Sequence, residues 1–306
     1  DRAKGMGASV IDGGAAFRVW APHAETVAVT GTFDDWAAQP RGDNDDAEKV
    51  RSAKFQLVSE NNGYWYGQAA GATVGDEYRF VIINGDQVIS RIDPYARHVT
   101  SSVGNGIITD PGAYDWEGDD FTPPTLNELV IYEMHVGTFF DKDPDDDKPA
   151  DLGDVEDKID HLVHLGVNAV ELMPLMEFAG DYSWGYNPAH IFAVESAYGG
   201  PEKLRDLVKT CHKHGLAVII DVVYNHFGPS DLDLWQFDGW SENDKGGIYF
   251  YNDWKSSTPW GDTRPDYGRG EVREFIRDNA MMWLEEFHAD GLRYDMTPYM
   301  RSVDAG

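Results

Sequence analysis

The stretch Leu216-Ala-Val-Ile-Ile-Asp-Val-Val-Tyr-Asn-His226 constrains the fold most. An uninterrupted apolar run opens it, directly after Gly215, and polar groups close it. Such a run predicts a strand buried on both faces, as parallel strands between helices are. Asp221 lies within the run and needs a partner there, because an unpaired buried carboxylate is costly. Asn225 and His226 follow at the C-terminal end, where barrels and open α/β sheets place their chemistry. A core strand followed by a polar loop would give the same pattern. The segment Asp290-Gly-Leu-Arg-Tyr-Asp295 weighs against that plain reading. It brings a second carboxylate and an arginine to the same kind of position.

The surrounding sequence alternates strands and helices from residue 126 onward. Leu129 to Met134 predicts a strand, and Asp154 to Leu165 a helix closed by Gly166. Val167 to Met173 predicts the next strand. Pro201 to His214 predicts a helix, with proline in its first turn and Gly215 after its end. Glu271 to His288 predicts a third helix, and Gly291 to Met296 a fourth strand. Apolar strands alternating with helices imply parallel βαβ units. Residues 227–270 break the rhythm with a long irregular segment rich in Trp, Gly and Asp, and such loops are usually functional.

Residues 1 to about 105 have a different period. Ala16-Phe-Arg-Val-Trp20, Thr26-Val-Ala-Val-Thr30, Gly63-Tyr-Trp-Tyr-Gly67 and Glu77-Tyr-Arg-Phe-Val-Ile-Ile83 read as strands. Asn84-Gly85 is a two-residue hairpin signal. The spacing predicts an immunoglobulin-like β-sandwich. The expected division is a sandwich at 1–110, a linker at 111–125 and an α/β domain at 126–306.

The formal charge of −29 makes nucleic acid and anionic membranes poor partners, but repels no neutral substrate. The acidic clusters Asp43 to Asp46 and Asp143 to Asp147 lack calcium-loop spacing and read as solvated loops. No apolar run is long enough for a membrane helix, and the first residues lack a leader's basic-then-apolar pattern. The single Cys211 sits on the apolar stripe of a helix, so packing explains it, and a reducing, cytoplasmic setting is expected. Aromatic residues make up 13%, including ten Trp, a mild pointer to carbohydrate because sugar faces stack on rings.

Four strand ends carry the candidate chemistry. The first gives Glu133 and His135, and the second leads into Asp181-Tyr-Ser-Trp-Gly-Tyr186. The third gives Asp221, Asn225 and His226, and the fourth Arg293 and Asp295. Arg293 and Asp295 are two apart and share one strand face, where the cation would keep a carboxylate ionised. An ionised carboxylate can attack a sugar carbon, although an Arg–Asp pair can also serve only to tie strands. No Cys/His cluster, phosphate loop, strand–GxGxxG–helix or Gly-x-Ser-x-Gly is present, so zinc, nucleotide cofactors and a serine hydrolase are not indicated. His212 and His214 near a helix end read as dipole partners. Trp184 and Tyr186, in a Gly-containing loop, could stack on a sugar ring.

At this point the motifs resemble a known family. Asp221-Val-Val-Tyr-Asn-His226 and Gly291-Leu-Arg-Tyr-Asp295 resemble two signatures of the α-amylase superfamily, glycoside hydrolase family 13. Ser183-Trp-Gly-Tyr186 resembles its stacking-tyrosine loop. Phe17-Arg-Val-Trp-Ala-Pro22 and Gly31-Thr-Phe-Asp-Asp-Trp36 resemble a family 48 carbohydrate-binding module. The resemblance implies the first half of a (β/α)8 TIM barrel and a retaining mechanism on α-1,4-glucans such as glycogen, starch or maltooligosaccharides. In that scheme Asp295 is the nucleophile and Arg293 its neighbour. His226 and Tyr186 hold the sugar, with Asp181 and Trp184 in the same loop. Asp221 is a buried support, and Asn225 matches a calcium ligand of many amylases, an ion that branching enzymes often lack. No cofactor or metal is expected. The segment 227–270 takes the place of the family's domain B.

The family's acid/base glutamate lies on the fifth strand, beyond the four strands read here. The expectation is therefore a partial chain, inactive alone. The Asp181-to-Tyr186 loop resembles glycogen branching enzymes, while Thr258-Pro-Trp-Gly-Asp262 leans toward maltooligosyltrehalose trehalohydrolases. Met296-Thr-Pro-Tyr299 after the nucleophile position is unlike ordinary α-amylases. A branching enzyme is the first expectation, with a trehalohydrolase or amylase-type hydrolase as alternatives. A non-catalytic glucan-binding protein is the alternative of another class.

Overall fold

A computed structural model describes residues 5–304 of the chain. The N-terminal part contains β1 (Gly7–Ile11), β2 (Gly14–Trp20), β3 (Thr26–Gly31), α1 (Asp46–Arg51), β4 (Gln56–Ser59), β5 (Tyr64–Ala70), β6 (Glu77–Asn84), β7 (Gln87–Arg91) and β8 (Gly106–Ile107). The strands pair antiparallel in the order β1-β2-β5-β4-β3-β6-β7, with β8 on β6. Strand β4 passes from one layer to the other. Its Gln56 and Leu57 pair with β3, and its Val58 and Ser59 with β5. Phe17, Tyr78 and Phe80 fill the space between the layers, with Phe17 edge-on to Tyr78 at 5.1 Å. Each buried ring of this size contributes roughly 2–3 kcal/mol. A two-residue hairpin joins β6 to β7, one residue later than Asn84-Gly85 suggests: Asn84 pairs with Gln87 and the turn is Gly85-Asp86, with Gly85 at φ +56°.

Asp46 corrects one expectation. It is buried rather than solvated, and its carboxylate accepts from the backbone N–H groups of Arg41, Gly42 and Asp43 at 2.8–3.0 Å. It ties off the turn that leads into α1.

The second part begins with β9 (Ile131–Met134) and α2 (Val136–Phe139), then α3 (Leu152–Glu156) and α4 (Ile159–Leu165). After these come β10 (Ala169–Leu172), the hairpin β11 (Met176–Phe178) and β12 (Pro188–Val194), and α5 (Gly200–Lys213). It continues through β13 (Ala217–Val222), α6 (Gly270–Glu285), β14 (Gly291–Tyr294) and α7 (Thr297–Arg301). Strands β9, β10, β13 and β14 lie side by side in sequence order, all parallel. That order is the start of a (β/α)8 barrel. The register sets Asp221 directly opposite Arg293.

The helix expected over 154–165 is two helices. Asp151 caps the first by accepting from Gly153 N and Asp154 N, so that helix begins earlier. The break at Asp157-Lys158 faces the loop before it. Lys142 pairs with Asp157 at 2.6 Å, and Lys158 lies 3.8 Å over the Phe140 ring. Helix α5 buries Leu204, Leu207, Val208 and Cys211, so the cysteine is a packing residue. Val163 and Leu284, spaced for buried helix faces, are exposed instead, at 40% and 37%.

The segment 227–270 is fastened to the sandwich. Arg79 pairs with Asp233 at 2.8 Å, and His23 Nδ1 lies 3.0 Å from Asp238. Arg91 donates to the carbonyls of Trp235, Gln236 and Phe237. Trp20 meets Tyr249 edge-on at 5.4 Å. This part of the segment joins the two halves of the fold and does not stand apart as a domain of its own.

His212 departs from its expected role as a dipole partner. It is buried, with Nδ1 2.7 Å from Asp119 and Nε2 3.0 Å from Asp290. Two carboxylates facing both ring nitrogens suit an imidazolium. Burial lowers the His212 pKa, but the hydrogen bonds to Asp290 and Asp119 outweigh it, and the net shift is upward. The strap 114–121 is thereby held to the barrel, with Phe121 stacked on His212 and Trp116 on His288. A raised folded pKa contributes stability below the unfolded value, lost as pH rises through the folded value. His212→Gln is therefore expected to cost about 1–3 kcal/mol at pH 5.5 and less at pH 9, read by urea unfolding at both.

Candidate functional site

The C-terminal ends of β13 and β14 carry a connected network. The Arg293 guanidinium donates through Nη1 to Asp221 Oδ1 at 3.0 Å, Asp221 Oδ2 at 2.8 Å and Asp295 Oδ1 at 2.9 Å. Asp221 is fully buried. Burial raises its pKa, opposed by hydrogen bonds from Tyr186 and Arg293. Desolvation would lower Arg293, but the Asp221 hydrogen bonds and charge raise it, so the cation persists. The Tyr186 hydroxyl donates to Asp221 Oδ2 at 2.7 Å, and burial followed by that carboxylate pushes its pKa up.

Asp295 lies just past β14 and is 8% exposed. Asn225 Nδ2 donates to its Oδ2 at 3.0 Å and to its backbone carbonyl at 3.1 Å. Asp295 is thus held by an amide on one side and a guanidinium on the other. These contacts fix the direction of both carboxylate oxygens. The next residue, Met296, turns the chain at φ +42° into α7.

His226 Nδ1 lies 2.6 Å from Asn225 Oδ1, and Nε2 lies 2.9 Å from the Tyr186 carbonyl. Both nitrogens face acceptors, which suits a charged ring. Burial opposes the charge and pulls the pKa below its ordinary value, ahead of the Tyr186 carbonyl and Asp295, which raise it. The neutral ring then donates from one nitrogen at a time. Trp260 stacks on His226 with centroids 4.7 Å apart, and Tyr299 meets the Trp260 edge at 5.2 Å.

Six sequence candidates therefore meet: Asp221, Asn225, His226, Arg293, Asp295 and Tyr186. Asp181 and Trp184 lie apart from this network. Both are exposed, Trp184 by 70%, and neither hydrogen-bonds to the network through its side chain. Asn225 spends its amide nitrogen on Asp295 and its amide oxygen on His226. Trp260 was not among the site candidates. Its only local signal is an aromatic residue in a Thr-Pro-Trp-Gly-Asp turn. Among the described residues no helix is long and apolar enough to cross a membrane.

Comparison with known proteins finds relatives for both parts of the fold. Residues 135–257 match the family described as alpha amylase, catalytic domain. Residues 5–96 match carbohydrate-binding module 48, the isoamylase N-terminal domain. A malto-oligosyltrehalose trehalohydrolase of Saccharolobus solfataricus is 33% identical, covering 95% of this chain and 45% of its own length. A 1,4-alpha-glucan branching enzyme of Salinibacter ruber is also 33% identical, covering 96% of this chain and 46% of its own. The chain thus spans less than half the length of these relatives. The crystal structure of the Group B Streptococcus pullulanase SAP superposes with a TM-score of 0.77 at 23% identity, covering 98% of this chain and 44% of that one, a likeness of fold. The chain therefore carries a family 48 carbohydrate-binding module followed by α-amylase catalytic-domain sequence, which places it in the α-amylase superfamily.

Proposed function

We propose that the protein bearing this chain rebuilds α-1,4-glucans by a retaining mechanism, as a branching enzyme, with Asp295 as the nucleophile. The observation that carries the reading is the double hold on Asp295 by Arg293 and Asn225 at the end of a parallel strand. Asp295 attacks the anomeric carbon as the glycosidic oxygen leaves with a proton from a second carboxyl. The glucosyl unit is then passed to an acceptor hydroxyl. The family resemblance assigns that second carboxyl to the fifth barrel strand, which lies outside these residues. His226 and Tyr186 line the sugar-binding side of the cluster, the buried Asn225 supports it by holding Asp295 and His226, Asp221 supports it through Arg293, and Trp184 and Asp181 sit on the exposed part of the loop. No cofactor enters the scheme, and the setting proposed is cytoplasmic.

The second reading is trehalose release, favoured by the Thr258-to-Asp262 turn that places Trp260 on His226. Incubation with amylose separates the outcomes. Branching lowers iodine staining with little new reducing sugar, whereas hydrolysis raises reducing ends. Free trehalose from a trehalose-capped oligosaccharide marks the second reading. Glycogen binding with no turnover of any of these substrates would favour a binding protein instead.

A further inference from the structure

The loop that carries Tyr186 is gripped at two backbone carbonyls by histidines from two different strands. His226, after β13, holds the Tyr186 carbonyl. His135, at the end of β9, lies with Nε2 2.7 Å from the Ser183 carbonyl. The same nitrogen is 3.0 Å from the Tyr198 hydroxyl, and Nδ1 is 2.9 Å from Thr138 Oγ1. A ring with its proton on Nε2 satisfies these contacts together. It accepts from the Thr138 hydroxyl at Nδ1 and donates from Nε2 to the Ser183 carbonyl, with the Tyr198 oxygen alongside. The Ser183 carbonyl, which can only accept, therefore sets the tautomer, and the Thr138 hydroxyl turns to donate to Nδ1.

Beyond these two carbonyls the loop is tied to the rest of the fold by the Tyr182 hydroxyl, which donates to the Asp147 carbonyl at 2.6 Å, and by the Tyr186 hydroxyl on Asp221. Gly185 sits at φ +85°, where an added Cβ would lie 2.5 Å from the Pro174 carbonyl oxygen, so the chain passes close to its neighbour there. Its N–H donates to Ser183 Oγ at 3.0 Å, and Ser183 Oγ in turn bonds Asn187. A shift at Ser183 is therefore passed to Tyr186, whose hydroxyl reaches Asp221. Trp184, between the two gripped carbonyls, has its ring in solvent.

We infer that His135 is a positioning residue for the proposed glucan site: through the Ser183 carbonyl it sets where Tyr186 and Trp184 meet the sugar, without touching the sugar itself. This rests on the reading of Tyr186 as a sugar-binding residue. Its effect belongs to substrate binding rather than to bond cleavage.

The test compares His135→Ala and His135→Gln with the parent, all in the full-length protein bearing this chain, using amylose and maltohexaose as substrates. His135→Ala is expected to raise KM about tenfold, the weight of one such hydrogen bond, and to change kcat by less than about threefold. His135→Gln, whose amide can still donate to the Ser183 carbonyl, should bring KM back to within about threefold of the parent. Hydrogen exchange of residues 183–187 should speed up in the Ala variant and recover in the Gln variant, with the sandwich amides unchanged. An unchanged KM together with unchanged exchange would overturn the assignment. So would a rise in KM that Gln fails to rescue, or one that tracks a general loss of stability. If the parent turns over no glucan, the proposed function fails, while the exchange arm still decides whether His135 holds the loop.

Discussion

Asp295→Asn is expected to lower kcat/KM on amylose by at least about 10⁴-fold in the protein bearing this chain. The substitution keeps the shape of the side chain and one of its two oxygens, which can accept from Arg293 or from Asn225 but not from both. Under the proposed mechanism it removes the oxygen nucleophile that attacks the anomeric carbon, and losses of a nucleophile are of this order. The variant should still fold, because Asp221 keeps its own bonds from Arg293 and Tyr186. A well-folded variant retaining more than a few per cent of the parent rate would remove Asp295 from the mechanism.

Arg293→Ala should harm both activity and folding, with a pH signature in the second. Among the described residues it strips the one cationic partner from Asp221, which is fully buried, leaving Tyr186 as its remaining side-chain partner. Breaking a buried pair costs about 3–5 kcal/mol, but the Arg293 side chain is itself 40% exposed, so about 2–3 kcal/mol is expected at pH 8. Asp221 already sits above the ordinary carboxylate range because burial outweighs its hydrogen bonds, and without Arg293 it rises further. A carboxyl with a raised folded pKa is fully stabilising below its unfolded value and loses that contribution as pH rises through the folded value. The gap between variant and parent should therefore be small near pH 4 and widen toward pH 8. Urea unfolding at several pH values reads this directly, and a gap independent of pH would rule out an unpaired Asp221 as its cause.

Much of this site was legible because burial leaves a pattern. Strand β13 is covered on both faces, so its apolar run stands out and Asp221 stands out within it. Arg293 and Asp295 are close in sequence, and their pairing follows from strand geometry. The hairpin β11–β12 left no such trace. β11 has three residues, and β12 is buried at each position, so no alternation marks it. The partners of His212 lie 93 and 78 residues away, and no local pattern reports them. Trp260 reaches His226 only through the course of an irregular segment, which periodicity does not describe.

The fastening of residues 227–270 to the sandwich has a consequence for how the protein is made. His23 and Asp238 are 215 positions apart, and Arg79 and Asp233 are 154 apart. Contacts so distant along the chain are slow to close from an unfolded state. During synthesis, however, the sandwich leaves the ribosome first and can fold as a unit before the later segment exists. The irregular segment then emerges beside a finished surface that already presents Arg79, Arg91 and Trp20. The N-terminal sandwich thus doubles as a template for the segment that brings Trp260 onto His226, and refolding of the whole chain from denaturant lacks that order of events.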